Sequence, residues 1–206
     1  VYRDATPVDP SAVLEAGTDI FFYRRPAPER AVPYEIRTVF EDDDIMVMDK
    51  PPFLATMPRA SHITETATVR LRRATGNEQL TPAHRLDRAT SGLLLLTKRS
   101  EIRGAYQELF ARREVEKRYE AIAPLRPVSA PTVWEHHLQK VAGEVAATAH
   151  PELPPNSRTN VVAVEPLLHD ELSKLQRTHS VHEPLARYVL EPVTGRTHQL
   201  RVQMML

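Results

Sequence analysis

The sequence predicts an α+β domain, a mixed, mostly antiparallel central sheet with flanking helices. Short runs of β-branched and aliphatic residues recur between proline-containing loops, as in "IRTVF", "IMVMDK" and "LLLLT". Two segments, 64–75 and the stretch after Ser100, suit helices instead. With 206 residues and 41% apolar content, the chain holds enough for one sizeable core or two tightly joined lobes.

Residues 1–35 are rich in Pro, Arg and acids and read as an extended N-terminal extension without its own core. "IRTVF" (36–40) and "IMVMDK" (45–50) form two strands around the acidic turn Glu41-Asp42-Asp43-Asp44. Pro51-Pro52 ends the second, because proline cannot donate to a ladder. Residues 64–75 make a helix capped by Thr64, with Arg70, Arg72 and Arg73 spread over its surface. Four consecutive leucines in "SGLLLLTK" predict a strand buried on both faces. Ser100 caps the next helix, where Ile102, Tyr106, Leu109 and Phe110 recur at helical spacing and Arg112 and Arg113 occupy the last turn. "VEKRYEAIA" (115–123) alternates, placing Val115, Lys117, Tyr119 and Ala121 on one strand face. Further strands are expected at 131–138, 160–166 and 186–193, and the 150–160 and 167–184 stretches read as loops.

No run approaches 18 consecutive apolar residues and no secretory leader opens the sequence, so neither a membrane span nor secretion is expected. Zero cysteine removes disulfides and thiolate chemistry and fits a soluble, intracellular chain. Net charge is zero, yet residues 1–50 carry six Lys/Arg against eleven Asp/Glu, and residues 84–118 carry nine against five. A basic middle fits either a local anionic ligand or a solvated charged face. The nine histidines show no metal-ligand spacing, and His136-His137 point to opposite faces of a strand. Phosphate-binding glycine loops and the G-x-S-x-G nucleophile turn are missing.

Three places draw attention as sites. A buried lone carboxylate is costly, so Asp87 beside a leucine strand needs a cationic partner. If the segment is extended, Arg85 shares its face and Arg88 points away. The residues alone leave two readings open: a structural turn cap or ion pair, or an ionised, sheltered carboxylate open on one side for chemistry. In "TGRTHQLRVQ" (194–203), Arg196, His198 and Arg201 follow a Thr-Gly turn. If that run is helical, Thr197 and Arg201 share a face, either at an anion-friendly helix start or on a solvated amphipathic segment. Tyr119 is either strand packing or a ring that stacks on a base.

Together these segments resemble the RluA family of RNA pseudouridine synthases. "HRLDRATSGLLLLTK" (84–98) is similar to the family's H-R-L-D-x-x-T-S-G signature, which has seven fixed positions. "EDDDIMVMDKPPFLATMP" (41–58), "EKRYEAIA" (116–123) and "TGRTHQLRV" (194–202) resemble its other motifs in the family's order. The resemblance implies catalytic roles for Asp87, as nucleophile or near-nucleophile, for Tyr119, in stacking and proton handling, and for Arg201, as salt-bridge partner of the aspartate. Arg85 would fill the gap left by a flipped nucleotide, His84, Arg196 and His198 would support the site or touch the RNA backbone, and Lys50 and Lys117 would bind RNA. Basic residues at 70–73 and 112–118 would contact phosphates.

The implied activity is isomerisation of a flipped uridine in structured RNA, breaking N1–C1′ and joining C5 to C1′ without redox change, cofactor or metal. The implied partner is ribosomal or transfer RNA; no DNA and no membrane is expected, and a cytoplasmic monomer is. A non-catalytic RNA-binding or remodelling protein is the alternative. A nucleoside glycosidase would need a second positioned acid, and no carboxylate pair is visible.

The sequence also departs from the family. Pro51-Pro52-Phe53 and Met57-Pro58 stand where Pro-x-Gly and His-Pro are common, and Gln203 stands where His is usual. The family continues past the equivalent of Leu206 with a G-x-P-I-x-G-D stretch, so residues 36–206 are expected to be a catalytic domain incomplete at its C-terminal end.

Overall fold

The computed structural model describes residues 2–3, 6–21, 28–59, 61–144 and 146–206. The chain divides into two compact units, Val1–Gly104 and Ala105–Leu206, each with its own four-stranded antiparallel sheet. The fold is α+β with antiparallel strand pairing, as the sequence predicts, and the central sheet is realised as one sheet per unit.

In the first unit, β1 (Tyr2–Arg3) and β2 (Thr6–Pro7) pair antiparallel. The main sheet has the order β3 (Arg37–Glu41), β4 (Ile45–Lys50), β6 (Gly92–Thr97), β5 (Thr81–Pro82), with helix α1 (Ala67–Thr75). The acidic turn between β3 and β4 forms because Asp42 Oδ1 accepts the amides of Asp44 and Ile45 at 2.8 and 2.7 Å. Lys98 and Arg99, arriving from the end of β6, pair with Glu41 and Asp44 and offset the remaining charge.

Strand alternation decides the core. Met46, Met48 and Lys50 of β4 all point inward, opposite Leu96, Leu94 and Gly92 of β6. The leucine strand is therefore not buried on both faces: Leu94 and Leu96 are fully buried, but Leu93 is 61% exposed. An antiparallel sheet with one covered face explains the difference. Gly92 sits at φ 117°, a conformation that L side chains rarely adopt.

Helix α1 begins two residues later than Thr64 suggests. Thr66 is the cap, its hydroxyl accepting the Val69 amide at 3.2 Å, and Gly76 closes the helix in the left-handed conformation. Arg70 and Arg72 do not spread freely into solvent. Arg70 donates to the carbonyls of Val32 and Tyr34, and Arg72 to that of Leu80. The extension is fastened at the same place: Glu29 accepts the amides of Ile63, Thr64 and Glu65 and the Thr64 hydroxyl, and Glu65 accepts the Val32 amide. The Thr64 amide leads the interactions that hold the Glu29 pKa down to about 2, against a smaller opposing effect of burial.

Helix α2 (Arg103–Ala111) follows Ser100 and stops short of Arg113, which takes a positive φ of 64°. The second unit orders its sheet β7 (Tyr119–Pro124), β12 (Leu185–Pro192), β11 (Ser157–Pro166), β8 (Thr132–His136), while β9 (Leu138–Gln139) pairs with β10 (Thr148–Ala149). β7 starts at Tyr119, so only Tyr119 and Ala121 of the expected 115–121 face belong to a strand. Residues 167–184 are not a loop, because α3 (His169–His179) occupies most of them, with Asp170 and Glu171 at its start and Arg177 and His179 at its end. Val161, Ala186, Tyr188 and Leu190 form the core; Tyr119, Trp134, Leu200 and Met204 pack against it. The last two come from α4 (Gln199–Gln203) and the residue that closes it, so Thr197 lies outside that helix.

Candidate active site

Asp87 lies on the loop from β5 to β6, and the neighbouring main chain is gripped at several points. The Ala83 amide donates to the Leu95 carbonyl at 2.9 Å, and the His84 ring accepts the Leu95 amide through Nε2 at 3.2 Å. Buried Leu86 turns inward between exposed Arg85 and half-buried Asp87, in keeping with the shared outer face expected for those two. Thr56 holds Leu86 by both main-chain groups: its hydroxyl donates to the carbonyl at 2.8 Å and accepts the amide at 3.1 Å. Thr56 is held in turn by α1, whose Thr68 donates its amide and its hydroxyl to the Thr56 carbonyl. The Thr90 amide closes the turn onto the Asp87 carbonyl at 3.0 Å.

Lys50 corrects the sequence reading. It is fully buried, so it does not reach RNA. An ammonium has three donors. Here Nζ donates to the carbonyls of Pro51, Leu54 and Arg88 at 3.0, 2.7 and 3.4 Å. It joins the segment after β4 to the peptide just beyond Asp87. Burial pushes its pKa down to about 8, a depression that Asp87 opposes and Arg88 reinforces. Arg70 and Arg72, expected on phosphates, spend their guanidinium groups on backbone carbonyls, while Arg73 is exposed.

The other expected site residues lie in the second unit. Half-buried Tyr119 packs against the core at the start of β7, opposite Leu190. Lys117 donates to the Thr194 carbonyl at 3.4 Å, and burial, helped by Arg113, lowers its pKa. Arg196 donates through Nε to the Asn156 carbonyl at 3.2 Å. His198 takes a left-handed φ of 58° at the start of α4, and Arg201 stands exposed on that helix.

Sequence reasoning passed over the residues that position α4. Buried Gln199 accepts from the Thr194 hydroxyl and the Arg196 amide, and donates to the Arg158 carbonyl and the Thr159 hydroxyl. Gln203, one turn later, accepts the Thr159 hydroxyl at 2.6 Å. The i, i+4 repeat of Gln199 and Gln203 was the available signal. Among the described residues no His/Asp/Glu group has the geometry to hold a metal ion, and no helix is long and apolar enough to cross a membrane.

A conserved-domain profile described as RNA pseudouridylate synthase matches residues 44–206. The chain is 30% identical to the tRNA pseudouridine synthase C of Vibrio parahaemolyticus, over 84% of this chain and 69% of that protein. It is 30% identical to the dual-specificity RNA pseudouridine synthase RluA of Escherichia coli, over 81% of this chain and 70% of that one. An uncharacterised RNA pseudouridine synthase of Synechocystis is 28% identical over 98% of this chain, which spans 65% of that relative's length. The fold matches human RNA pseudouridylate synthase domain containing 1 with a TM-score of 0.65 at 24% identity, over 85% of this chain and 66% of that one. The chain belongs to the RNA pseudouridylate synthase family, and within it to the RluA type that its motifs resemble.

Proposed function

We propose that this chain isomerises uridine to pseudouridine in a structured RNA, with Asp87 as the essential carboxylate. The anchoring of the Asp87 loop supports the reading best, because a group that attacks or deprotonates a sugar must be held in place before the substrate arrives. The target uridine is extruded from its stack at a cost of a few kcal/mol. Asp87 then traps or stabilises electron-poor C1′ as the N1–C1′ bond breaks, either by direct attack or after deprotonating the sugar. The freed uracil turns and bonds through C5. Tyr119 supplies an aromatic face and a hydroxyl for the departing C5 proton, and Arg201 the positive charge of the site. Arg85 fills the space the nucleotide leaves, and His84, Lys117, Arg196 and His198 support the site or meet the RNA backbone.

Residues 36–206 act as the catalytic domain and residues 1–35 as its extension. Transfer RNA and ribosomal RNA are the substrate classes, in keeping with the names of the relatives, and the protein acts in the cytoplasm as a monomer. The protein should release tritium from RNA labelled at uridine C5, and Asp87→Ala should abolish release while retaining RNA binding. Binding of cellular RNA without release by the unaltered protein would instead identify a non-catalytic RNA-binding protein on this fold.

A further inference from the structure

The fastened extension makes a wall that the conserved-domain match does not include, since that match begins at residue 44. Residues 28–34 border a cavity of about 500 Å³ within the first unit, in the range of ligand sites. Phe53, His62 and Arg88 line it from the rest of the unit. Its two acids are already engaged: Glu29 on three amides and a hydroxyl, and Glu65 on the Val32 amide and, at 3.9 Å, on Arg70. The cations are differently placed. Arg30 and Arg88 are exposed, and the Arg88 side chain makes no ion pair or hydrogen bond with another described residue. Tyr34 and Phe53 add two aromatic side chains, 46% and 52% exposed. Phe53 is held at a positive φ of 67° directly before Leu54, whose carbonyl Lys50 grips.

Cationic guanidinium groups beside exposed rings suit one ligand chemistry, an unpaired nucleotide whose phosphate is neutralised and whose base stacks. The position narrows it further. Arg88 follows Asp87 directly in the chain, so the cavity lies one residue along the loop from the carboxylate that would receive the uridine. We propose that this cavity, built by residues 28–34 over Phe53 and Arg88, is a subsite for the unpaired nucleotide that flanks the target uridine in the substrate RNA. The subsite rests on the isomerase reading for the identity of its ligand. Enzymes that act on flipped bases draw part of their substrate choice from contacts with flanking nucleotides, and this cavity would be the place where residues outside the matched domain make them.

The test uses the full chain with two probes, fluorescein-labelled decauridine for binding and C5-tritiated unfractionated tRNA for turnover. Arg88→Ala and Phe53→Ala should each weaken decauridine binding roughly tenfold, the scale of one lost stacked base or phosphate contact. Arg88→Ala should also reduce the salt slope of binding by about one, and Phe53→Ala should not. Arg177→Ala, an exposed arginine on α3, controls for net charge and should bind as the unaltered protein does. On tRNA, both variants should raise KM while leaving kcat within about twofold. Because Phe53 has an unusual backbone, Phe53→Leu, which keeps bulk and removes the ring, serves as a second variant and should show the same loss. Binding by Arg88→Ala and Phe53→Leu within twofold of the unaltered protein overturns the subsite. If the unaltered protein binds decauridine through Arg88 and Phe53 yet releases no tritium, the isomerase reading fails and the cavity stands only as a site for an unpaired nucleotide, which overturns its place beside a target uridine.

Discussion

Lys50→Met tests the buried lysine through pH. A folded-state pKa of about 8 against the usual 10.5 corresponds to roughly 3 kcal/mol set against carrying the charge inside the protein. In the unfolded chain Lys50 keeps its proton up to about pH 10.5, whereas in the folded protein it loses it through about pH 8. Between those values the unfolded state binds more protons, so this group makes stability rise with pH. The penalty is fully present below about pH 8 and fades toward 10.5. Between pH 7 and 9.5 the stability of the native protein relative to Lys50→Met should therefore rise by about 2 kcal/mol, at about 1.36 kcal/mol per pH unit once deprotonation is under way. Methionine matches the unbranched stem and does not titrate. At pH 7 it removes the penalty but strips the carbonyls of Pro51, Leu54 and Arg88 of a donor, each at about 1–3 kcal/mol if no water replaces it. Urea unfolding followed by far-ultraviolet circular dichroism, at both pH values and for both proteins, measures the gap. A gap constant within about 0.5 kcal/mol, or one that moves the other way, refutes the buried-charge argument.

Thr56→Val keeps the shape but leaves the Leu86 amide and carbonyl without their partner, so stability should fall by about 2–4 kcal/mol and tritium release should fall with it; Thr56→Ser should restore both. Glu29 has its pKa lowered to about 2, so its contribution is present above the usual 4.5 and is lost as pH falls from there toward 2. Acid titration of Glu29→Gln should lack that loss, and proteolysis near residues 28–34 should be faster at neutral pH. Gln199→Ala should destabilise the second unit by about 2 kcal/mol or more, because four polar contacts, two of them buried, lose their partner, and an unchanged melting temperature would count against the lock on α4.

Much of this was legible in the sequence, and the failures are specific. The turn at Glu41–Asp44, the strands on either side of it and a helix ending near Thr75 follow from turn residues, alternation and helical spacing, although the cap is Thr66 rather than Thr64. Lys50 was misread, although Met46, Met48 and Lys50 share one parity, and that parity places the lysine inside. The four leucines looked buried on both faces because composition hides which side of a sheet is covered. Helix α3 was missed because the His and Pro residues of 167–184 suggested a loop, although Leu168, Leu172 and Leu175 recur at helical spacing and acids stand at the start and bases at the end. Arg70 looked like a phosphate ligand because no pattern within α1 shows that the extension passes over it, and Arg72 because none shows that it turns to the Leu80 carbonyl beyond the helix. The partition at Gly104 and Ala105 falls inside the first turn of α2, where the sequence has no break to mark it.

Lys50 and Thr56 grip main-chain atoms, namely the carbonyls of Pro51, Leu54, Leu86 and Arg88 and the Leu86 amide. Every residue offers those atoms, and all but proline the amide as well. These contacts place no demand on the side chains at 85, 88 and 89. Random substitution there should yield many folded proteins that, under the proposed activity, differ in which RNA they accept, so the same scaffold is open to drift in substrate choice while the proposed reactive carboxylate stays put.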